Sequence, residues 1–276
     1  MPIRNDAWPE GTPAWIDCQV EDPGKAAQFY AGLFGWEIQD GGPDSGGYLM
    51  AMKAGAPVAG IGPKPPSMPG MPSVWTTYFA VTDADAAAAK VQQAGGELIV
   101  PPFDVMEFGR MFVATDPVGA VFAVWQATGH NGAAVYNEHG AYGWNELHTR
   151  DIEAAKKFYG DVFGFSYTEF DFGDAEYVVF TPPTRTEGVG GIADESGLKV
   201  SEGGAADGMP SYWLVWFQHD DVDAGVAKTT ELGGRVLQAI ADSPAGRSAV
   251  IAGPQGEAIG IIDPSKTVGT MPAPKA

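Results

Sequence analysis

Short apolar runs alternate along the chain with amphipathic stretches that have helical spacing. The runs at residues 48–52, 111–114, 121–125, 177–180 and 258–262 are bounded by Gly and Pro and predict β-strands. Two stretches place their apolar residues on one face at a period of 3.6: Ala26, Phe29, Tyr30 and Leu33, and then Ala155, Phe158, Tyr159 and Val162. The pattern therefore predicts amphipathic helices interspersed with groups of short strands.

Each predicted helix follows an aspartate. Asp22 and Asp151 precede the two amphipathic stretches, where a carboxylate accepts hydrogen bonds from the first free amides of a helix. Asp83 and Asp221 precede two further helical stretches that end near Gly95 and Gly233, and glycine favours the left-handed conformation at a helix end. The recurring unit is one strand, one helix and about three strands.

The two halves of the chain repeat one another. The spacing of 129 residues relates the first half to the second at seven positions: Trp15, Asp22, Phe29, Tyr30, Phe34 and Gly35 recur as identical residues, and Asp17 recurs as Glu146. Gly95-Gly96 recurs as Gly233-Gly234 at a spacing of 138, and Gly109-Arg110 recurs as Gly246-Arg247 at 137. Matches in one register indicate a duplication, so the chain contains four related units.

Composition narrows the classes of partner. The chain has 16 Lys and Arg against 35 Asp and Glu, a net charge of −19, and 45% of its residues are hydrophobic. Such an acidic surface disfavours nucleic acid and anionic membranes. The sequence shows neither an apolar run long enough to cross a bilayer nor the apolar segment of a signal peptide near Met1, and Cys18 is the single cysteine. We expect a cytoplasmic protein.

The repeated motifs resemble those of the vicinal oxygen chelate superfamily, which includes glyoxalases, extradiol dioxygenases and bleomycin-resistance proteins. The resemblance rests on Asp22, Phe29-Tyr30 and Phe34-Gly35-Trp36 with their counterparts from Asp151 to Phe165, and on Asp116-Pro117-Val118-Gly119 before a final strand. It implies an α+β fold of four βαβββ modules paired into two domains with cupped mixed sheets. The expected boundaries are a first domain at 11–127 (modules 13–64 and 73–127), a linker at 128–140, a second domain at 141–265 (modules 141–194 and 210–264) and a tail at 266–276.

Metal-dependent members of that superfamily carry His, Gln or Glu on the first strand of a unit and Glu on the last. Aligned on the motifs, these ligand positions fall on residues that do not bind cations: Trp15, Thr76 and Ala123 in the first half, and Trp144, Leu214 and Gly260 in the second. We therefore predict that the metal site is lost and that the protein uses no cofactor.

Side chains alternate along a strand, so residues of equal parity face one cleft. The set predicted to bind a ligand in the first half is Trp15, Asp17, Gln19, Thr76, Tyr78 and Trp125. The corresponding set in the second half is Trp144, Glu146, His148, Leu214, Trp216 and Gln218. The two tryptophans at the former ligand positions could stack on a ligand or fill the vacated space, and the two acids could hydrogen-bond neighbours or act in catalysis.

The pair Glu146 and His148 is the candidate for chemistry, because same-face positions lie about 7 Å apart and histidine exchanges protons near neutral pH. Other notable residues have structural expectations. Trp75 and Trp213 are expected between sheet and helix, Cys18 buried, His130 and His139 solvent-exposed in the linker, and Arg110 and Arg247 paired with groups of the protein itself.

Three functions remain open. The first is metal-independent binding of a small aromatic or hydrophobic molecule in natural-product biosynthesis or self-resistance, since the sequence is also similar to bacterial two-domain proteins labelled glyoxalase-like or hydroxylase. The second is a metal-free lyase, isomerase or hydroxylase-like enzyme in the second half, with His148 as base and Glu146 orienting it. The third is a divalent-metal glyoxalase or dioxygenase. Both a monomer and a homodimer are compatible with the sequence.

Overall fold

The computed structural model describes residues 3–68, 70–172, 176–195 and 210–275. The first half contains β1 (Pro13–Val20), α1 (Pro23–Phe34), β2 (Glu37–Asp40), β3 (Leu49–Lys53), β4 (Ala56–Pro63), β5 (Val74–Ala80), α2 (Ala84–Gln93), β6 (Glu97–Val105), β7 (Gly109–Thr115) and β8 (Val121–Ala127). The second half contains β9 (Tyr142–Thr149), α3 (Ile152–Phe163), β10 (Ser166–Asp171), β11 (Glu176–Thr181), β12 (Gly190–Asp194), β13 (Tyr212–Gln218), α4 (Val222–Glu231), β14 (Arg235–Ser243), β15 (Gly246–Ala252) and β16 (Ala258–Asp263). The predicted order of strand, helix and three strands is confirmed in all four units.

Each half forms one eight-stranded mixed sheet. The strand order is β2-β3-β4-β1-β5-β8-β7-β6 in the N half and β10-β11-β12-β9-β13-β16-β15-β14 in the C half. At the centre of each sheet the first strands of two units pair antiparallel, β1 with β5 and β9 with β13. The α+β architecture expected from the repeats is therefore present, with the units of a half joined edge to edge.

Aspartates cap all four helices as predicted. The side chain of each accepts a hydrogen bond from the amide three residues on, at Lys25, Ala86, Ala154 and Ala224. Glycines with positive φ follow the helices, at +71° for Gly35 and +73° for Gly164. Local sequence thus fixes where the helices begin and where they end.

The hydrophobic cores join opposite halves. One core combines residues of the first unit, such as Phe29 and Tyr30, with Phe217 and Ile259 of the fourth unit. The other combines the second and third units. The repeated Gly-Gly pairs have a role here, because a Cβ on Gly96 would lie 2.9 Å from the Phe158 ring and one on Gly234 would lie 2.8 Å from the Phe29 ring. Each glycine makes room for an aromatic ring of the other half.

Several single-residue predictions are confirmed on this helix-covered side. The Trp75 indole donates to the Tyr30 hydroxyl at 2.8 Å, and the Trp213 indole donates to the Tyr159 hydroxyl at 2.9 Å, so both tryptophans pack between sheet and helix. Cys18 is fully buried.

The two repeated arginines also find protein partners. Arg110 pairs with Asp85 and Asp104, and Arg247 pairs with Asp223 and Asp242, all at 2.7 to 2.9 Å. Within the described residues, none of the helices is long and apolar enough to cross a membrane.

Candidate functional site

Helices and the opposite half pack against one face of each sheet, and the residues predicted to bind a ligand lie on the other face, so that each half has one such surface. We call these surfaces the N-half cup and the C-half cup. The predicted side-chain parity holds: Ile16 and Cys18 face the helices, whereas Trp15 and Asp17, which are also buried, contact Tyr48 and Tyr78 on the opposite face of β1. Leu147 lies in the other core, and Glu146 and His148 flank it on the cup side.

A buried carboxylate is held by two tyrosines in the N-half cup. The Tyr78 hydroxyl donates to Asp17 Oδ2 at 2.8 Å, and the Tyr48 hydroxyl approaches the same oxygen at 3.4 Å while accepting from the Trp15 indole at 3.1 Å. Burial raises the pKa of Asp17 to about 7, against the lowering effect of the two tyrosine hydroxyls. Asp17 Oδ1 has no hydrogen-bond partner among the described residues.

The N-half cup is filled by its own side chains. Trp15, Asp17, Thr76, Tyr78 and Trp125, five of the six residues predicted to bind a ligand there, are only 3% to 7% exposed. Gln19, the sixth, is partly exposed near the end of β1.

The expected exposure of the linker histidines is wrong. The His130 ring packs against Trp15 with centroids 4.5 Å apart, and burial lowers the pKa of His130 to about 4. His139 is half-buried against His219, at a centroid distance of 4.7 Å. The segment after β8 turns back onto the protein because the amides of Thr128 and His130 both donate to Phe108 O, which brings the His130 ring over the cup.

The C-half cup repeats the tryptophan, tyrosine and carboxylate arrangement. The Trp144 indole donates to the Tyr177 hydroxyl at 2.8 Å, and this hydroxyl donates to Glu146 Oε2 at 2.6 Å. The Trp216 indole donates to Glu146 Oε1 at 3.2 Å. Glu146 is thereby held by two aromatic hydrogen-bond donors, Tyr177 and Trp216.

His148 lies between two carboxylates. Its Nδ1 is 2.8 Å from Glu195 Oε1, and its Nε2 is 2.9 Å from Glu146 Oε1, a charge contact that is poorly aligned for a hydrogen bond. The imidazole stacks on the Tyr212 ring, and the Tyr212 hydroxyl donates to Glu195 Oε1 at 2.9 Å. These contacts fix both the position and the orientation of the ring.

The carboxylates decide the charge of the pair. Burial lowers the pKa of His148, but the close charge contact with Glu146 and the hydrogen bond and charge of Glu195 outweigh it and raise the pKa to about 9. Burial raises the pKa of Glu146, yet His148, Tyr177 and Trp216 outweigh that effect and lower it. At neutral pH the pair is therefore an imidazolium beside a carboxylate.

A pocket of about 260 Å³ opens beside this pair. It is lined by His148, Thr149, Arg150, Asp151 and Glu195, by Val118 of the N half, and by Pro210 and Ser211; Glu146 and the aromatic residues of the cup are not among the lining residues. Trp144, Tyr177, Tyr212 and Trp216, four aromatic residues near the pair, are partly exposed; Trp15 and Tyr78, the N-half counterparts of the two tryptophans, are buried, and Tyr48, the counterpart of Tyr177, is partly exposed as well. The C-half cup therefore offers aromatic and charged groups to a small molecule.

Of the two other predicted residues of this cup, one lies beside the pair and one lies apart from it. Leu214 is the direct cross-strand partner of Glu146 on β13 and is buried. Gln218 lies at the far end of β13, where its backbone pairs with Gly140 and Ala141. The structure thus brings Trp144, Glu146, His148, Leu214 and Trp216 together and leaves Gln218 at the margin.

Four residues of the two cups were not predicted from the sequence: Tyr48, Tyr177, Glu195 and Tyr212. A signal for the first two was present, because Tyr48 and Tyr177 are themselves 129 residues apart, as are the tryptophans and carboxylates they join. Glu195 had no such signal. In the register of β4 and β12 its first-half counterpart is Lys64, so the repeat does not identify it.

The residues at the superfamily's metal-ligand positions do not fit a divalent cation. Trp15 and Trp144 present indole N–H groups, which donate to tyrosines rather than offering a lone pair. The last-strand position Gly260 lies beneath an aromatic ring, since a Cβ there would be 2.1 Å from Trp216. Among the described residues, no three His, Cys, Asp or Glu side chains converge as metal ligands.

This fold and these repeated motifs define a protein of the vicinal oxygen chelate type, and comparison with known proteins identifies the family. The family model described as the glyoxalase/bleomycin resistance protein/dioxygenase superfamily matches residues 12–124, and a model of the bleomycin resistance protein-like N-terminal region matches residues 144–183. The chain belongs to this superfamily.

Two relatives match nearly the whole chain. A Mycobacterium tuberculosis protein named putative glyoxylase CFP32 is 39% identical over 269 residues, which is 96% of this chain and 99% of the relative. The anthracycline biosynthesis protein DnrV of Streptomyces peucetius is 36% identical over 268 residues, covering 92% of this chain and 93% of the relative.

Solved structures share the fold. The Mn(II)-bound glyoxalase of Novosphingobium aromaticivorans superposes with a TM-score of 0.63 at 18% identity, covering 96% of this chain and 88% of that one. A 2,2',3-trihydroxybiphenyl 1,2-dioxygenase from Sphingomonas wittichii gives 0.62 at 16% identity, covering 97% and 98%. At this identity the likeness concerns architecture alone.

Proposed function

We propose that this protein binds a small aromatic or hydrophobic molecule in the C-half cup, without a metal ion, in natural-product biosynthesis or self-resistance. The observation that carries the proposal is the difference between the cups. Trp15 and Tyr78 of the N-half cup are buried, with the His130 ring packed against Trp15, whereas their counterparts Trp144 and Trp216 in the C-half cup are partly exposed. Partly exposed aromatic walls with a few fixed polar groups are typical of small-molecule sites.

The name of one relative supports a role in natural-product biosynthesis or self-resistance. The Streptomyces relative is named for anthracycline biosynthesis, and anthracyclines are polycyclic aromatic compounds that could stack on the two C-half indoles. The indoles at the former ligand positions support the absence of a metal, because they cannot coordinate one. Since the C-half cup is built from one chain, binding is compatible with a monomer and with a homodimer.

The test is titration of chelator-treated protein with doxorubicin and with bleomycin, followed by calorimetry or ligand fluorescence. Trp216→Ala is expected to weaken binding about tenfold by removing a stacking surface. Trp125→Ala removes an indole of equal size from the N-half cup and serves as the matched control, with affinity unchanged. Absence of heat with both compounds, or equal losses in the two variants, contradicts the proposal.

A second candidate function is metal-free catalysis in the same cup. The observation that favours it is the charged group Glu146, His148 and Glu195 beside the pocket of about 260 Å³. The contacts of His148 favour its protonated form, so the imidazolium is better placed to donate a proton, as a general acid, than to act as the base expected from the sequence. Glu146, which is ionised, is the better base.

Single-turnover assays with any compound that binds test this candidate. His148→Gln and Glu146→Gln are expected to abolish conversion while ligand affinity changes little. Conversion that survives both substitutions rules out this assignment. Elemental analysis of protein purified without chelator tests the remaining candidate, a metal-dependent glyoxalase or dioxygenase, for which a stoichiometric divalent metal is required.

A further inference from the structure

The segment that follows β16 connects the two edges of the C-half sheet. The Val268 amide donates to Ser243 O at 2.9 Å, at the end of the edge strand β14. Six residues later Pro274 bridges antiparallel to Phe170 of the opposite edge strand β10, and the Lys275 amide donates to Glu169 O at 2.8 Å. The Lys275 ammonium also lies 2.7 Å from Glu176 Oε1. We call residues 265–275 the C-half strap.

The length of the C-half strap shows that it takes the short path between the two edges of the sheet. Eight strands spaced about 4.8 Å apart give a contour of about 34 Å from β14 to β10. Six residues span at most about 21 Å even when fully extended. The strap is thus a chord between the edges of a curved sheet. Because helices and the N half cover one face of the sheet, the chord crosses the other face, the C-half cup.

The far anchor of the strap lies in the same row of the sheet as the charged pair. Residues in register across the sheet form a row that runs from Pro274 through Phe170, Tyr177 and Ala193 to His148. Tyr177 in this row donates to Glu146. The anchor is therefore two strand steps from the tyrosine that holds the carboxylate and four steps from the imidazole.

The N half shows the effect of a chain segment in the corresponding place. Residues after β8 correspond to residues after β16 in the duplication, and they place the His130 ring against Trp15 and Trp125. There the N-half cup is sealed. In the C half the side chains of the strap remain outside: Val268 is 57% exposed and Met271 is 47% exposed. Two apolar side chains thus lie exposed on a strap above an aromatic cup.

We propose that the C-half strap is part of the binding site, with Val268 and Met271 covering an apolar ligand and the Pro274 and Lys275 anchor controlling its entry. This inference rests on the proposed function, because it places the ligand in the C-half cup. The exposed thioether and isopropyl groups favour a hydrophobic ligand surface at the mouth, while the polar groups of the ligand meet Glu146 and His148 below.

One test measures access to the cup without any ligand. Ser248→Cys places a thiol on the cup side of β15, since the neighbouring Ala249 and Ile251 face the core. Adding Lys275→Glu sets a carboxylate against Glu176 and should speed iodoacetamide labelling of that thiol about fivefold. Lys157→Glu, which breaks an exposed ion pair on α3, and a thiol introduced at the exposed Thr230 are the controls, and neither rate should change. Equal labelling rates with and without Lys275→Glu overturn the proposal that the C-half strap limits access to the cup.

A second test locks the anchor. Phe170 and Pro274 are direct cross-strand partners, so the double variant F170C/P274C has the spacing of a disulfide. Oxidation should slow both association and dissociation of doxorubicin about tenfold or more, and reduction should restore them. Identical kinetics in the oxidised and reduced forms overturn the inference. If doxorubicin and bleomycin do not bind at all but labelling still responds to Lys275→Glu, the proposed function fails and the strap stands.

Discussion

The His148 imidazole and the Tyr212 ring are stacked with centroids 4.8 Å apart and planes inclined by 1°, and both rings hydrogen-bond the same oxygen, Glu195 Oε1. Tyr212 therefore supports the imidazole from one side while Glu195 fixes the direction of its Nδ1–H. Glu195 directly follows β12, and Tyr212 is the first residue of β13. The orientation of His148 therefore depends on the pairing of β9 with both of these strands.

Glu195→Gln should lower the pKa of His148 by about one unit, because it removes one of two neighbouring negative charges and keeps the shape of the side chain. Titration of the His148 ring by NMR measures this directly. Tyr212→Phe removes a hydrogen bond to Glu195 without changing the charge, so its effect on the same pKa should be much smaller. A larger shift in Tyr212→Phe than in Glu195→Gln contradicts the electrostatic explanation.

Alkaline pH should destabilise the protein through His148. Its folded-state pKa of about 9 exceeds the unfolded value of 6.5, so the stabilisation is fully present below pH 6.5 and is lost as pH rises through 9. The expected contribution is about 3 kcal/mol. Urea unfolding at a series of pH values gives the slope, and His148→Gln should flatten this part of the profile. A wild-type profile parallel to that of the variant is the contrary result.

Asp17→Asn should stabilise the protein at pH 8. Because burial raises the folded-state pKa of Asp17 to about 7 from 3.8, its favourable contribution is complete below pH 3.8 and disappears as pH rises through 7. The neutral amide can still accept from Tyr78, and it avoids a buried charge, so a gain of a few kcal/mol is expected at pH 8 and little at pH 4. Thermal denaturation at the two pH values measures the difference. Asp44→Asn, an exposed acid, is the control and should behave like wild type at both.

Tyr159→Phe should destabilise the contact between halves. The Tyr159 hydroxyl accepts from the Trp213 indole and donates to Asp116 Oδ2 at 2.9 Å, so its removal leaves two buried polar groups short of a partner. The expected loss in the free energy of unfolding is about 2 to 3 kcal/mol by urea denaturation. Tyr136→Phe is the comparison at a half-buried ring. A loss for Tyr159→Phe no larger than this control would show that the hydroxyl contributes little.

The fold was predictable from the sequence because its signals are local and repeated. Aspartate caps, helical periodicity and the spacing of 129 residues each recur, and a repeated signal restricts topology strongly. The exchange of cores between halves was not predictable, since Phe29 contacts Gly234 across about 200 residues and no local pattern specifies that partner. Parity along β1 and β9 placed the cup-facing residues correctly.

Other features of the cups depended on loops and single residues. Glu195 follows β12, but the equivalent position after β4 is Lys64, so the repeat does not predict a carboxylate there. His130 reaches Trp15 because hydrogen bonds to Phe108 O turn the chain back. The surroundings of a side chain also set its pKa, which the sequence does not reveal. Burial lowers the pKa of His130 to about 4, whereas the carboxylates of Glu146 and Glu195 raise that of His148 to about 9. Partner identity, and not residue type, sets the protonation state.

The exchange of cores has a genetic consequence. Phe217 and Ile259 complete the apolar layer beneath α1, while Phe79 and Phe122 complete the layer beneath α3. A protein made from either half alone would expose a large apolar surface to water. Recombination that separated the two copies would expose apolar surface in each product, so this packing favours the inheritance of both copies as a single unit.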